Sequence, residues 1–166
     1  MTQVSRIDES SLRVVLALIA GATELMNLNG IHQWDEIYPD RAILEADLRS
    51  GTSFGIFEDG VLAGYVVLNE QEPPEYSDID WCRRSGRRLV IHRLCVHPDH
   101  RGKGYGKRLV SFAEEQGRHN GYASIRLDAF SENGTALALY ESAGFLRRGT
   151  VRFRKGDFFC YEKELG

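Results

Sequence analysis

The most informative stretch of this chain is Arg101-Gly102-Lys103-Gly104-Tyr105-Gly106-Lys107. It follows the apolar stretch Leu89–Val96, which predicts a strand, and it opens an amphipathic stretch that predicts a helix over about 104–120. Glycines let the backbone approach a ligand, and the first turn of a helix presents N–H groups and the positive end of the helix dipole. Three basic side chains add positive charge, so the stretch predicts a site for phosphate oxygens.

Two common phosphate-binding patterns do not fit this stretch. The dinucleotide fingerprint GxGxxG needs glycine where Lys107 stands, and the Walker A loop needs serine or threonine where Arg108 stands. The pattern that remains is R-x-x-G-x-G, preceded by Val96 and His97-Pro98. It resembles motif A of the GNAT superfamily of N-acetyltransferases, whose pyrophosphate loop holds coenzyme A.

A second match lies downstream of this loop. The residues Asn133, Ala136, Tyr140 and Gly144-Phe145 resemble motif B of the same superfamily. Steps of three and four residues place the first three on one flank of a helix. Both motifs occur in the superfamily's order and on its elements, so the chain is identified as a bacterial-type, single-domain member.

Local patterns predict the other elements in chain order. The first part holds a strand at Gln3–Ile7, a helix capped by Asp8 or Ser10 that ends near Asn27, a short helix with Pro39 in its first turn, and a hairpin of Ser53–Glu58 and Val61–Asn69 around a type I′ turn at Asp59-Gly60. The second part holds an exposed connection over 70–87, a strand at Ser124–Ala129, a helix at Asn133–Ala143, and a hairpin of Leu146–Arg154 and Phe158–Glu164 around Lys155-Gly156-Asp157.

The predicted strands outnumber the helices and do not alternate strictly with them, which indicates a mixed sheet covered by helices. The resemblance implies the α/β fold of the superfamily: a central, mixed, mostly antiparallel sheet with a splayed pair of parallel strands, flanked by about four helices. A chain of 166 residues is about one domain long, so residues 1–166 are expected to form a single N-acetyltransferase domain.

Composition bounds the class of protein. Hydrophobic residues make up 42% and charged residues 27%, as in ordinary soluble domains. The run Val14–Ala20 is shorter than the roughly 20 residues of a membrane helix, and no signal peptide is evident, so we expect a cytoplasmic protein without a membrane partner. The three cysteines are scattered without a CxxC pattern, which favours free thiols over disulfides or a zinc site.

Charge is distributed unevenly along the chain. Residues 1–80 hold 15 acidic and 4 basic side chains, whereas residues 81–166 hold 9 acidic and 17 basic ones. This asymmetry suits a cationic partner for the first half and a phosphate-bearing cofactor for the second, although halves of a chain need not be halves of a structure. The clusters Arg83-Arg84 and Arg87-Arg88 lack interleaved aromatic residues, so no nucleic-acid partner is expected.

The resemblance implies acetyl-CoA as co-substrate, with its pantetheine arm lying between the two splayed strands. Tyr140 would protonate the leaving thiolate, which a phenol can do with help from its surroundings. No metal is expected, because His97 and His100 offer too few ligands in one short loop. The residues implied in cofactor binding are Leu94, Cys95, Val96, Arg101, Gly102, Lys103, Gly104, Tyr105, Gly106, Lys107, Asn133 and Tyr140.

The acceptor amine must lose a proton before it attacks, so a general base is useful. His92 is the first candidate, because it precedes the cofactor stretch and titrates near neutrality, and a packed or exposed histidine is the alternative. Asp128, near the end of the next strand, is the second candidate for this role and is also assigned to the acceptor site. Strand alternation places His92 on one face and Arg93 and Cys95 on the other, and Cys95 is interpreted as a core residue.

The acceptor site is predicted between the first two helices. Trp34 and Tyr38 offer flat rings to a cation, and Asp35 and Glu36 offer carboxylates, although the two rings equally suit a lid on the core. The expected activity is acetyl transfer to the primary amine of a small cationic molecule. The alternatives are a protein or peptide N-acetyltransferase and a non-catalytic acyl-CoA-binding module. A homodimer is expected by analogy with the superfamily.

Overall fold

A computed structural model describes residues 2–166 of the chain. The strands are β1 (Val4–Arg6), β2 (Ser53–Glu58), β3 (Val61–Asn69), β4 (Arg88–Val96), β5 (Ser124–Phe130), β6 (Leu146–Phe153) and β7 (Gly156–Glu164). The α-helices are α1 (Leu12–Leu28), α2 (Arg41–Arg49), α3 (Tyr105–His119) and α4 (Gly134–Ser142). The described strands form a seven-stranded sheet in the order β1-β2-β3-β4-β5-β7-β6.

The sheet is mixed and mostly antiparallel, which confirms the predicted fold class. The pairs β1–β2, β2–β3, β5–β7 and β6–β7 are antiparallel, whereas β4 and β5 run parallel. The parallel ladder is short: it joins Arg88–Val90 to residues 124–126, and both strands continue beyond it. This agrees with a parallel pair that separates along its length.

The chain divides into two compact units. The first holds the residues up to Leu68 together with His92–Leu109, and the second holds Asn69–Ile91 together with Val110–Gly166. The core of the first unit forms where α1 and α2 cover β3 and the end of β4; its buried members include Val15, Leu18, Leu44, Leu48, Tyr65, Val67 and Cys95. The second unit is built on β5, which pairs with β7 along its whole length.

Helix α2 begins later than its sequence suggested. The Asp40 carboxylate accepts the backbone N–H of Ile43 at 2.9 Å and takes the N-cap position. Pro39 therefore precedes the cap, and its prediction as a residue of the first turn is wrong. The cap decides the boundary because it supplies an acceptor for an N–H group that has no partner within the helix.

The two hairpins differ in how well their turns were predicted. Asp59 and Gly60 have φ values of 50° and 79°, and Glu58 pairs with Val61, which confirms a two-residue turn of the predicted type. In the last hairpin Phe153 pairs with Gly156, so the turn is Arg154-Lys155 and the three-residue turn predicted at 155–157 is wrong. The pairing of β6 with β7 includes Gly156, whose φ is 139°.

The connection over 70–87 is not exposed throughout, and that prediction is wrong for its two largest rings. It holds a 3₁₀ helix, Pro74–Asp78. Tyr76 is 2% exposed and Trp81 is 6% exposed, although the charged residues around them face solvent. Apolar ring surface drives both side chains inward, and a count of charged residues does not reveal this.

Helix α1 is relevant to the prediction that the protein has no membrane partner. Together with the 3₁₀ turn before it, the segment Glu9–Leu28 has a mean hydropathy of 1.4 and is long and apolar enough, by length and composition alone, to cross a membrane. The short run at 14–20 therefore does not by itself exclude a membrane span. Four of the helix's side chains (Val15, Leu18, Ile19 and Ala22) are buried, and they pack in the core of the first unit.

Candidate active site

The glycine-rich loop of the first unit has the geometry of an anion site. The His97 N–H donates to the Ala63 carbonyl at 2.7 Å, which anchors the start of the loop on β3. Gly102 and Gly104 have φ values of 79° and 81°, and a Cβ at either position would meet no atom within 4 Å. The first helical bond of α3 runs from the Arg108 N–H to the Gly104 carbonyl, so the three preceding N–H groups lie at the helix N-terminus.

An acidic side chain that sequence reasoning missed holds this loop. One Glu58 carboxylate oxygen lies 2.5 Å from His100 Nδ1 and 3.2 Å from Lys103 Nζ. A hydrogen bond from Tyr105, followed by one from Lys103, lowers the pKa of Glu58 below its ordinary value. Glu58 stands 42 residues before His100, and no local pattern links such distant positions. Arg101 and Lys107 are exposed beside the loop.

Strand β4 departs from regular geometry at Arg93, whose φ is 52°. Such a left-handed residue breaks the regular pleat at this point, although the strand continues to Val96. Cys95 is buried in the core, as predicted, and burial raises the pKa of its thiol to about 12. A thiol that stays protonated at neutral pH is a poor nucleophile, which supports its role in packing. His92, Leu94 and Val96 are half-buried.

The Arg93 side chain joins β4 to α2 and to the predicted acceptor loop. Its Nε and Nη2 donate to the two carboxylate oxygens of Asp47, both at 2.7 Å. Its Nη1 donates to the Tyr38 hydroxyl at 3.0 Å. The side chains of Arg93 and Asp47 are 8% and 10% exposed, so the ion pair is largely buried. The structure therefore brings Tyr38 to β4, a contact that the sequence did not reveal.

The other predicted acceptor residues have different surroundings. Trp34 is 6% exposed and belongs to the core of the first unit, which favours the core-lid alternative for this ring. One Asp35 carboxylate oxygen accepts the N–H groups of Ile37 and Tyr38 at 3.1 and 3.2 Å, so this side chain stabilises the local turn. Glu36 and Tyr38 are exposed.

In the second unit, Asp128 of β5 forms a pair with a buried tyrosine. The Tyr76 hydroxyl donates to Asp128 Oδ2 at 2.6 Å. Burial raises the pKa of Asp128 to about 6, while the hydrogen bond from Tyr76 opposes that shift. Asp128 therefore changes charge close to neutrality, as a general base should. Tyr76 was missed because it lies in the connection that was predicted to be exposed.

Tyr140 of α4 lies in the second unit and is 6% exposed. Its ring centroid is 6.0 Å from that of Phe145 and 6.2 Å from that of Tyr161. Tyr161 pairs with Leu127 on β5, so Tyr140 packs on the face of the sheet that Leu127 shares, whereas Asp128, the next residue, pairs with Cys160 and points to the other face. The Asn133 side chain accepts the Ala136 N–H at 3.2 Å and caps α4.

None of these contacts tests whether Asn133, the β4 backbone or the loop at 101–107 binds the cofactor, so these roles stay predictions.

The two histidines that could be considered as metal ligands have other partners. His97 accepts the Asp99 N–H at 3.1 Å, and His100 contacts Glu58. Within residues 2–166, no group of three or more His, Cys, Asp or Glu side chains is arranged to hold a metal ion.

Comparison with known sequences places these features in a family. The acetyltransferase (GNAT) family model matches residues 20–145. An L-amino acid N-acyltransferase of Escherichia coli is 38% identical over 95 residues, which are 54% of this chain and 55% of that protein. An L-methionine sulfoximine/L-methionine sulfone acetyltransferase of Salmonella typhimurium is 31% identical over 131 residues, which are 76% of this chain and 73% of that protein. The match thus spans about half of the first relative and about three quarters of the second.

Solved structures show the same fold. A GNAT-family acetyltransferase of Streptococcus agalactiae has a TM-score of 0.87 at 24% identity, over 98% of this chain and 95% of that one. The N-acetyltransferase PaiA of Thermoplasma acidophilum, in complex with coenzyme A, has a TM-score of 0.73 at 18% identity, over 99% of both chains. At these identities the likeness is one of fold.

The Arg93–Asp47 pair gives a stability prediction. Asp47→Asn leaves a largely buried guanidinium without its carboxylate, so the free energy of unfolding should fall by about 3 kcal/mol. Glu45→Gln, on the same helix, breaks the exposed pair with Arg41 and should cost less than about 0.5 kcal/mol. Denaturant unfolding of both variants measures the difference, and equal losses would contradict the assigned importance of the buried pair.

Proposed function

Because the chain belongs to the acetyltransferase (GNAT) family, we propose that it transfers an acetyl group from acetyl-CoA directly to the primary amine of a small molecule. The observation that carries the proposal is the loop at 101–104 that opens α3. Its two left-handed glycines and the N–H groups of the first helical turn suit the pyrophosphate of coenzyme A. Arg101 and Lys107 add charge that attracts the same group.

An amino acid or a similar small molecule is the acceptor class that we propose. The names of the two relatives describe action on L-amino acids and on L-methionine derivatives. Such acceptors carry an ammonium group and a carboxylate at neutral pH, so they are zwitterions and differ from the net cation that was expected. Their amines become nucleophilic only after they lose a proton.

Asp128 is the base that we propose for this step, in preference to His92. Its pKa of about 6 lets it accept a proton at neutral pH, and its carboxylate is held by Tyr76. The amine gives its proton to Asp128, and its nitrogen forms a bond to the carbonyl carbon of the thioester. The nitrogen releases its second proton to water, the bond between that carbon and sulfur breaks, and the departing thiolate takes the proton of the Tyr140 hydroxyl. Exchange with solvent then returns both side chains to their starting states.

Release of free thiol from acetyl-CoA tests the acceptor class. A panel of L-amino acids, polyamines and short peptides should give the highest kcat/KM with one of the amino acids. Mass spectrometry should find the acetyl group on its amine. A preference for peptides would support protein acetylation instead. Binding of acetyl-CoA without turnover of any amine would support a non-catalytic module.

A glycine substitution tests the cofactor loop. Gly104→Val places a β-branched side chain at a φ of 81°, so the loop backbone must change while no packed neighbour is disturbed. The affinity for coenzyme A should fall at least about tenfold, as measured by calorimetry. The matched control is Gly121→Val, at the far end of α3, which has a φ of 76° and equally open surroundings. Equal affinities in the two folded variants would remove the loop from the site.

The pH dependence of kcat/KM tests the two proton transfers. In the wild type, kcat/KM should rise with pH through about 6 as Asp128 ionises. Asp128→Asn should lower kcat by roughly 10²–10⁴-fold and remove this rise, which is the acid limb of the pH profile. Tyr140→Phe should lower kcat but keep the acid limb. His92→Gln should also keep it. A limb that survives in Asp128→Asn and disappears in His92→Gln would assign the base to His92.

A further inference from the structure

Tyr76 is a buried tyrosine in a segment whose other residues are largely exposed. It is 2% exposed, whereas its neighbours Glu75 and Ser77 face solvent. A buried phenol needs a hydrogen-bond partner, because an unpaired polar group is costly away from water. The partner of its hydroxyl is Asp128, at 2.6 Å. The Asp128 carboxylate of β5 thus fixes the direction in which the Tyr76 side chain points.

A chain of contacts holds Tyr76 in this orientation. The Trp81 indole N–H donates to the Tyr76 carbonyl at 2.9 Å, and the two ring centroids are 5.1 Å apart. The Arg126 guanidinium lies over the Trp81 ring, 4.2 Å from its centroid. Arg126 in turn donates to Glu72 at 2.9 Å and to Glu162 at 3.3 Å. Tyr76 is therefore tied through Trp81 to a buried ion network on β5 and β7.

Few charged or titratable groups act on Asp128 within the second unit. Tyr76 and Glu75 approach it from the 3₁₀ segment, and Cys160 pairs with it across β7. The Glu75 carboxylate disfavours ionisation of Asp128, and the Tyr76 hydrogen bond favours it. A donor at Oδ2 also fixes the plane of the carboxylate and leaves Oδ1 for another partner.

We propose that Tyr76 is the positioning residue for the acceptor's proton transfer, holding the Asp128 carboxylate ionised and oriented toward the ammonium group of the acceptor. This inference rests on the proposed role of Asp128 as the base. It assigns a function to the 70–87 connection, which anchors the orienting phenol rather than merely joining β3 to β4.

A pH profile distinguishes this role from packing. Tyr76→Phe keeps the ring against Trp81 and removes only the hydroxyl. Because that hydroxyl opposes the effect of burial, its loss raises the pKa of Asp128 above about 6. The acid limb of kcat/KM should move to higher pH by about one unit, as expected for loss of a hydrogen bond to a charged group. At pH values below the acid limb, kcat/KM of the variant should be about tenfold lower than that of the wild type, and it should recover at alkaline pH.

A matched control and a direct readout complete the experiment. Tyr122→Phe removes another tyrosine hydroxyl of this unit, one that bonds Arg87 at 2.9 Å, and it should leave the limb in place. Carbon-13 NMR of the Asp128 carboxyl reads its titration without turnover, and melting curves confirm that both variants are folded. If Tyr76→Phe destabilises the fold too far, Trp81→Phe, which removes the bond to the Tyr76 carbonyl and reduces the ring that contacts Tyr76 and Arg126, should shift the limb in the same direction.

The two ways of failing are distinct. An unchanged limb and an unchanged NMR titration in folded Tyr76→Phe would overturn the positioning role while leaving Asp128 as the base. Wild-type turnover and an intact limb in Asp128→Asn would overturn the proposed base and the inference together.

Discussion

Strand β4 has to serve two compact units, because its first residues lie in one unit and its last residues in the other. Its first residues pair with β5 over Arg88–Val90 in the second unit, and its last residues from His92 onward belong to the first. The parallel ladder with β5 ends at Val90, although the strand itself runs on to Val96. The left-handed residue Arg93 lies just past this point. The residues predicted to bind coenzyme A follow it directly.

Each unit uses a strand arginine to fix a segment of irregular structure. Arg93 pairs with Asp47 and reaches the hydroxyl of Tyr38, whereas Arg126 lies over Trp81, which holds Tyr76. A buried charge without a partner is costly, so such networks tolerate little displacement. Loops joined to them acquire a definite position that their own sequences, poor in regular patterns, do not specify. The two tyrosines are held for this reason.

Burial has opposite chemical consequences at two neighbouring strands. It raises the pKa of Cys95 to about 12, which keeps that thiol protonated and inert. It raises the pKa of Asp128 to about 6, which brings a carboxylate close to the pH at which a base is most useful. The difference lies in the starting values, because desolvation favours the neutral form of both acids. Residue type therefore decides whether the same physical effect silences a group or makes it reactive.

Features that depend on short-range chemistry could be predicted from the residues alone. Glycines before α3 and the spacing of Tyr140 on its helix are local signals that indicated the family, and the Asp59-Gly60 turn is a local signal that predicted a hairpin. Folding, by contrast, buries Trp34 and Tyr76, brings Glu58 to Lys103, and brings Asp47 to Arg93. Partners of this kind are separated by dozens of residues, and nothing in the spacing of a chain encodes them. They exist because buried charges and phenols must find hydrogen-bond partners, and only the folded chain brings those partners within reach.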